Sequence, residues 1–75
     1  MRSMLDCERF YRIALRGNLY PQARYMMSNR REYFAVSGSL YLWGMIARPP
    51  YRREYLRARQ PVYYAWLGEL FGVSR

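Results

Sequence analysis

The sequence contains no histidine, no lysine and a single cysteine, Cys7, and each absence excludes a class of site. Without histidine the chain lacks the commonest protein metal ligand and the commonest general base at neutral pH. One cysteine can form neither an internal disulfide framework nor a zinc site built from cysteines. We therefore predict no bound metal, no cofactor and no stabilisation by disulfides.

Acidic residues are also scarce, and they do not form the pairs that acid–base catalysis needs. The five lie singly along the chain, at Asp6, Glu8, Glu32, Glu54 and Glu69. Each is better explained as a charge partner or as a helix-end residue than as a catalytic carboxylate. Cys7 has no histidine to activate it, and no glycine-rich phosphate loop occurs. The sequence thus predicts a protein that is not an enzyme.

Positive charge, by contrast, is abundant. The 75 residues include thirteen arginines, and the net charge is +8. A surplus of this size implies an anionic partner, which composition alone leaves open among nucleic acid, acidic lipid and an acidic protein face. A chain of this length forms one domain at most and is marginally stable alone, so we expect it to associate with something larger.

The most apolar part of the chain is residues 33–47, which carry no charge. A helix of this stretch is roughly 22 Å long at about 1.5 Å per residue, whereas the hydrocarbon core of a bilayer is roughly 30 Å thick. Arginines and aromatic residues flank the stretch, as they do at membrane interfaces. The pattern predicts a membrane-spanning helix, and a buried core helix in a small domain remains the alternative.

Two sets of residues would serve such a span. Small side chains let neighbouring helices approach closely where lipid offers no hydrophobic drive for association. Helix packing is therefore predicted at Ser37, Gly38 and Gly44. Contact with anionic lipid headgroups is predicted at Arg30, Arg31, Trp43, Arg48, Arg52 and Arg53.

The predicted fold class is all-α, with one central, membrane-spanning helix, short amphipathic or basic helices on both sides and no independent globular core. Residues 1–21 form an N-terminal amphipathic helix and turn, 22–47 the central helix, and 48–75 a basic arm and a C-terminal amphipathic helix. Prolines at 49, 50 and 61 separate the last elements, because proline cannot continue a preceding helix.

The first helix is predicted from about residue 4 to residue 16. Ser3 has the character of an N-cap, and Gly17-Asn18 supplies a left-handed stop. Glu8 and Arg12 stand four apart in the favourable order for an ion pair. The side predicted to dock against the rest of the chain or a neighbour carries Leu5, Phe10, Ile13 and Ala14.

The segment Leu40-Tyr41-Leu42-Trp43-Gly44, with the basic run through Arg59, resembles the span and tail of the small ubiquinone-binding-type subunit of the cytochrome bc1 complex. Residues 31–59 are similar in layout to the e and f subunits of mitochondrial ATP synthase, although the e-subunit glycines four apart are missing. These resemblances imply a single-pass structural accessory subunit of a mitochondrial inner-membrane oxidative phosphorylation complex. Its partners would be other subunits and anionic phospholipid such as cardiolipin.

A second resemblance involves the tripeptide Phe10-Tyr11-Arg12. Together with Leu15-Arg16, Arg30-Arg31 and Phe34, it resembles the LYR family, although Phe10 replaces the expected leucine. Members of that family bind acyl carrier protein and serve as accessory subunits or assembly factors of mitochondrial complexes. The resemblance implies an adaptor of this kind.

A further alternative is an RNA-bound protein, for instance a small ribosomal component. Thirteen arginines interleaved with nine tyrosines suit phosphate neutralisation and base stacking. Against this alternative, the apolar stretch at 33–47 interrupts the positive charge, and no RNA-binding motif is visible.

Overall fold

The computed structural model describes residues 4–45 and 52–75, which form four α-helices and one short 3₁₀ helix. The predicted N-cap Ser3, the headgroup contact Arg48 and the Pro49-Pro50 helix stop lie outside these described residues. The elements, in chain order, are α1 (Met4–Gly17), the 3₁₀ helix (Met26–Ser28), α2 (Arg30–Trp43), α3 (Arg53–Arg59) and α4 (Pro61–Phe71). The molecule measures 30 × 23 × 19 Å, and α2 packs against each of the other elements.

The central helix is shorter than predicted, because two local signals limit it. Asn29 has an extended backbone and its side chain accepts a hydrogen bond from the Glu32 amide at 2.9 Å, so α2 begins at Arg30. Gly44 adopts a left-handed conformation with φ of 94°, and its amide donates to the Leu40 carbonyl. The single helix expected over 22–47 is therefore replaced by a turn, the 3₁₀ helix and α2.

The prediction of a membrane-spanning helix is wrong, and so is the single-pass inner-membrane placement that depended on it. Among residues 4–45 and 52–75, no helix combines the length and the apolar character needed to cross a bilayer. The 14 residues of α2 amount to roughly 21 Å of helix. The face of α2 that packs against this chain's own helices carries Tyr33, Ser37, Gly38, Leu40 and Tyr41.

The predicted absence of a globular core is also wrong. The described helices enclose one cluster of buried side chains in which tyrosine is the most frequent large residue. Tyr33 of α2 and Tyr63 of α4 are fully buried, and their rings stack with centroids 4.9 Å apart. The smaller buried members come from all parts of the fold and include Cys7, Ala14, Met26, Leu40, Leu56 and Leu67.

The face that α1 turns to the core matches the predicted one in part, since Phe10 and Ala14 pack inward as expected. Cys7 and Ala14, seven residues and so about two turns apart, are fully buried. Leu5 and Ile13, which were expected on the docking side, are 72% and 52% exposed. The left-handed residue after α1 is Asn18, with φ of 48°.

The C-terminal helix follows the predicted pattern closely. Pro61 is its first residue, where the missing amide costs no helical hydrogen bond. Gly72 ends it with φ of 69° and donates to the Gly68 carbonyl. The tail then folds back, because the Tyr41 and Tyr64 hydroxyls donate to the Val73 and Arg75 carbonyls at 2.5 and 2.7 Å.

Candidate nucleic-acid interface

Most polar side chains inside the fold are hydrogen-bonded within the chain, and Gln60 is at the centre of one such network. The hydroxyls of Tyr20 and Tyr33 both donate to Gln60 Oε1, at 2.8 and 2.6 Å. Gln60 Nε2 donates in turn to the Phe10 carbonyl at 3.1 Å. One side chain at the junction of α3 and α4 thus joins α1, the segment after it and α2.

A second buried chain of hydroxyl groups lies beside the first. Ser37 Oγ donates to the Tyr33 carbonyl at 2.6 Å, so the Tyr63 hydroxyl, also 2.6 Å from Ser37 Oγ, must be the donor in that pair. Cys7 Sγ is 4.0 Å from the Tyr63 hydroxyl. Burial raises the pKa of the Cys7 thiol and of the Tyr63 hydroxyl, so neither ionises readily into a nucleophile or base. These groups hold the fold together.

The surface, in contrast, is lined with guanidinium groups. Among the described residues no arginine is buried, and nine are exposed. The exposed ones are Arg9, Arg12, Arg16, Arg24, Arg31, Arg52, Arg57, Arg59 and Arg75. Acidic neighbours engage only some of these, since Arg9 pairs with Asp6 at 3.8 Å and Arg12 with Glu8 at 2.9 Å. The second pair is the one predicted from the sequence.

Two arginines of α3 are oriented by tyrosine rings. The Arg59 guanidinium carbon lies 4.5 Å from the centre of the Tyr55 ring, and that of Arg57 lies 5.6 Å from the Tyr64 ring. Contact with a ring face holds a guanidinium by cation–π attraction while leaving its N–H donors free. Neither arginine forms an ion pair within the described part of the chain. These two groups are free to bind phosphate or carboxylate.

An exposed ring and two further arginines meet where α2 ends. Trp43, the last residue of α2, is 73% exposed. Arg53 Nε donates to the Tyr41 carbonyl at 2.8 Å, and its Nη2 donates to the Leu42 carbonyl at 3.3 Å. Arg52 is exposed and is paired through its backbone with Met45 in an isolated antiparallel bridge. This end of the molecule thus exposes an indole ring and a guanidinium that has no ion pair among the described residues.

The residues predicted to contact lipid headgroups fall into two groups within the described structure. Arg30 and Arg31 lie at the start of α2, where Arg30 is 3.5 Å from Glu8. Trp43, Arg52 and Arg53 lie at the other end, roughly 20 Å away at about 1.5 Å per helical residue. Arg53 is half-buried and committed to α2 carbonyls, so its predicted headgroup role is replaced by a structural one.

The three residues predicted to pack against other proteins' helices are used within this chain. Ser37 is buried and hydrogen-bonded to Tyr63 of α4. Gly38 faces Phe71, and a Cβ added there would lie 3.3 Å from its ring. Gly44 ends α2 and lies against the Arg53 guanidinium. Small size matters at Ser37 and Gly38 because α4 approaches α2 there, and at Gly44 because the Arg53 side chain of α3 lies against it.

The tripeptide that resembles the LYR motif is divided between interior and surface. Phe10 packs on Tyr63, with ring centroids 5.0 Å apart. Tyr11 is half-buried and its hydroxyl donates to the Met27 carbonyl at 2.9 Å. Only Arg12 points outward, where it pairs with Glu8. Packing within this chain therefore explains the first two residues.

The comparisons with known proteins identify no relative. The chain matches no protein-family model, no curated protein and no solved structure.

Sequence reasoning missed Gln60, Arg57 and Arg59 as key side chains. A four-residue interval between Tyr55 and Arg59 was the available signal, since residues at this spacing are neighbours on a helix. For Gln60 no local signal existed, because its partners Tyr20 and Tyr33 are 40 and 27 residues away.

Proposed function

We propose that this protein is a small, non-catalytic RNA-bound component of a larger ribonucleoprotein particle, for instance a ribosomal one. Its surface arginines would neutralise RNA phosphates, and the helical globule would hold those arginines in fixed positions. The observation that carries the proposal is the separation between an uncharged, internally bonded core and a surface on which nine described arginines are exposed.

Folding removes the main sequence argument against RNA binding. Along the chain, the apolar stretch divides the arginines into two groups. In the folded molecule, Tyr33, Leu40 and Tyr41 of that stretch are buried, so the arginines before and after it share the surface of one globule. A polyanion that runs over this surface can contact arginines of α1, α2 and α3 together.

The composition of the surface also favours phosphate as the partner chemistry. Arginine presents planar donors that match phosphate oxygens, and it stays charged at any physiological pH. Asp6 and Glu8 pair with arginines of α1, but the net charge of +8 remains after every acidic residue of the chain has been counted. Non-specific RNA affinity of such a surface depends on counterion release and falls steeply with salt.

The test is a salt titration of RNA binding by the purified chain. Fluorescence anisotropy with a labelled RNA that contains a stem and single-stranded loops should give a dissociation constant of about 10⁻⁶ M or tighter at low salt, with strong loss between about 50 and about 200 mM. Weak binding that does not change with salt would contradict the proposal.

A matched pair of double variants localises the contact. Arg57→Gln with Arg59→Gln removes two guanidinium groups that have no acidic partner in residues 4–45 and 52–75, whereas Arg9→Gln with Arg12→Gln removes two that already pair with carboxylates. Both lower the net charge by the same amount. We expect the α3 double variant to lower the salt slope more, by about 0.7 to 0.9 for each RNA phosphate that is no longer neutralised.

A second candidate is a structural accessory subunit of an oxidative phosphorylation complex, bound to other subunits through its surface. Exposed aliphatic residues on the outer side of α1 favour it: Leu5, Ile13 and Leu15 are all more than half exposed. Aliphatic groups among arginines suit an acidic protein face, acyl carrier protein included, better than they suit RNA.

Purification in mild detergent separates the two candidates. An accessory subunit would remain with the complex after RNase treatment, and substituting Leu5 and Ile13 by serine would release it. An RNA-bound component would instead be released by RNase and by rising salt, while the α1 variant would stay bound.

A further inference from the structure

We infer that Trp43 is a stacking site for an unpaired RNA base, with Arg52 binding an adjacent phosphate. The inference rests on the proposed function, and it adds the class of RNA and the residues that contact it. It starts from an aromatic side chain that the fold leaves outside the core.

Trp43 differs from the other tryptophan and from the phenylalanines in its exposure. Trp66 packs against Phe10, Phe34 and Tyr63 within the fold, at ring distances of 5.7 to 6.4 Å. Trp43 is 73% exposed at the end of a helix. An indole left in water at this position has a free face on which another flat ring can stack.

The local backbone keeps the Trp43 position fixed. Gly44 turns the chain in a left-handed conformation, and the Gly44 carbonyl accepts the Arg53 amide at 2.9 Å. The Arg53 side chain binds the Tyr41 and Leu42 carbonyls, which neutralises the negative end of α2. The Tyr41 and Leu42 carbonyls are thus bonded to a guanidinium, which lessens the repulsion that the end of α2 would exert on a phosphate near Trp43.

Arg52 is placed to bind that phosphate. Its backbone bridges to Met45, two residues after Trp43, and its side chain is exposed without an ion pair among the described residues. Aromatic stacking together with a neighbouring guanidinium is the usual chemistry of single-stranded RNA recognition. Bases in a duplex already stack on each other, so the ligand class is an unpaired nucleotide.

The neighbours of Trp43 favour RNA over a lipid surface. Ala35 and Ser39 precede it at four-residue intervals on the exposed side of α2, and both are small. They leave room for a base to lie flat, and among the described residues Met45 is the other exposed apolar side chain at this end of α2. Membrane-surface elements instead present a continuous apolar face.

Fluorescence titration tests the site directly. In a Trp66→Phe background Trp43 is the one remaining tryptophan, because the sequence contains two. Single-stranded oligouridine should quench its emission, and a duplex of equal length should quench it much less. Trp43→Ala in the unaltered chain should weaken single-strand binding about tenfold, and Trp43→Phe should retain most of it. Since the side chain is exposed, the melting temperature of Trp43→Ala should equal that of the parent.

Two different outcomes would overturn the inference. If Trp43→Ala binds oligouridine as tightly as the parent, the stacking site is wrong while the proposed function stands. If the parent binds neither single-stranded nor structured RNA, both fail. Vesicles of phosphatidylcholine with cardiolipin test whether Trp43 binds lipid instead. A blue shift of Trp43 emission on these vesicles, without quenching by oligouridine, would show that the site binds lipid and not RNA.

Discussion

At the scale of single residues, the fold depends on a buried amide that serves three partners. Gln60 accepts from two tyrosine hydroxyls through one oxygen and donates to the Phe10 carbonyl through its nitrogen. A buried donor that loses its partner bears its full desolvation cost, which exceeds the net contribution of an ordinary hydrogen bond. Stability should therefore be unusually sensitive to this side chain.

Substituting Gln60 by leucine should lower the free energy of unfolding by about 2 to 5 kcal/mol. The change removes the bonds that the Tyr20 and Tyr33 hydroxyls and the Phe10 carbonyl make to Gln60. A buried group left unsatisfied costs about 1 to 3 kcal/mol, and the partners that Tyr20 and the Phe10 carbonyl keep elsewhere limit the total. Urea unfolding followed by circular dichroism measures the effect. A loss of less than about 1 kcal/mol would show that the network is not what holds these helices together.

Trp66 provides the matched control inside the same core. Its indole Nε1 is buried and has no hydrogen-bond partner among the described residues. Trp66→Phe keeps an aromatic ring and removes a donor that was already unsatisfied, so we expect a change of about 1 kcal/mol or less. A larger loss than that of Gln60→Leu would indicate that ring volume, not polar satisfaction, dominates here.

At the scale of elements, the ends of α2 are set by polar side chains that the sequence reveals unequally. Asn29 and Gly44 are recognisable cap residues by type alone. The contribution of Arg53 is not recognisable, because it depends on the chain returning to the carbonyls of Tyr41 and Leu42 after residue 45. Helix ends that are set by a nearby cap residue could be predicted from the sequence. A helix end that is stabilised by a side chain from a later part of the chain, as Arg53 stabilises α2, could not.

Arg53→Met should destabilise the protein, and the neighbouring Arg52→Met should not. The first change removes two charge-assisted hydrogen bonds to helix carbonyls, which contribute about 1 to 3 kcal/mol together after allowance for rehydration. The second removes an exposed side chain and should shift stability by no more than about 0.5 kcal/mol. Thermal melts of the two variants, equal in net charge, make the comparison; equal melting temperatures would contradict it.

The apolar stretch shows why the sequence could be interpreted in two ways. Its buried positions Tyr33, Ser37 and Leu40 recur every three to four residues, as on any amphipathic helix. Its exposed positions, Ala35, Ser39 and Trp43, are uncharged, so no charged stripe marks the solvent side. The sequence predicted helices but could not indicate what covers them, because the partners in α4 are more than twenty residues away.

At the scale of the whole molecule, the buried tyrosines make stability depend on alkaline pH. Burial raises the pKa of Tyr33 and of Tyr63 well above the ordinary value of 10.0, and burial raises the pKa of Cys7 above 9.0. A raised folded-state pKa gives stability that is fully present below the unfolded-state pKa and is lost as pH rises above it. With no histidine in the chain, histidine titration contributes nothing near neutrality.

The free energy of unfolding should therefore fall as pH rises above about 9 to 10, by about 1.4 kcal/mol per pH unit for each of these groups that ionises only on unfolding. Absorbance near 295 nm reports tyrosinate formation, and circular dichroism reports the helices. The two transitions should coincide for the buried tyrosines, and Tyr63→Phe should reduce the pH slope. Gradual tyrosine ionisation without loss of helix would contradict the buried assignment.

The candidate site was less predictable than the fold, because it too depends on contacts between residues that are distant in the sequence. Composition indicated an anionic partner, and Trp43 and Arg52 were both selected from the sequence, although for contact with lipid headgroups. The backbone bridge from Met45 to Arg52 brings the two segments that carry them together, and no local pattern encodes it. The proposal of RNA over lipid uses the exposed described neighbours of Trp43, which only the folded chain defines.

The central claim is that one face of the uncharged stretch, over its described residues 33–45, packs inside a helical globule formed by this chain alone. Amide hydrogen exchange of the purified protein in detergent-free buffer tests it most directly, residue by residue. The account predicts slow exchange at Leu40 and Tyr41, with protection equal to the global free energy of unfolding and lowered at both residues by the amount that Gln60→Leu destabilises the protein. Rapid exchange there in buffer, with protection appearing only in micelles or on addition of a partner, would contradict it.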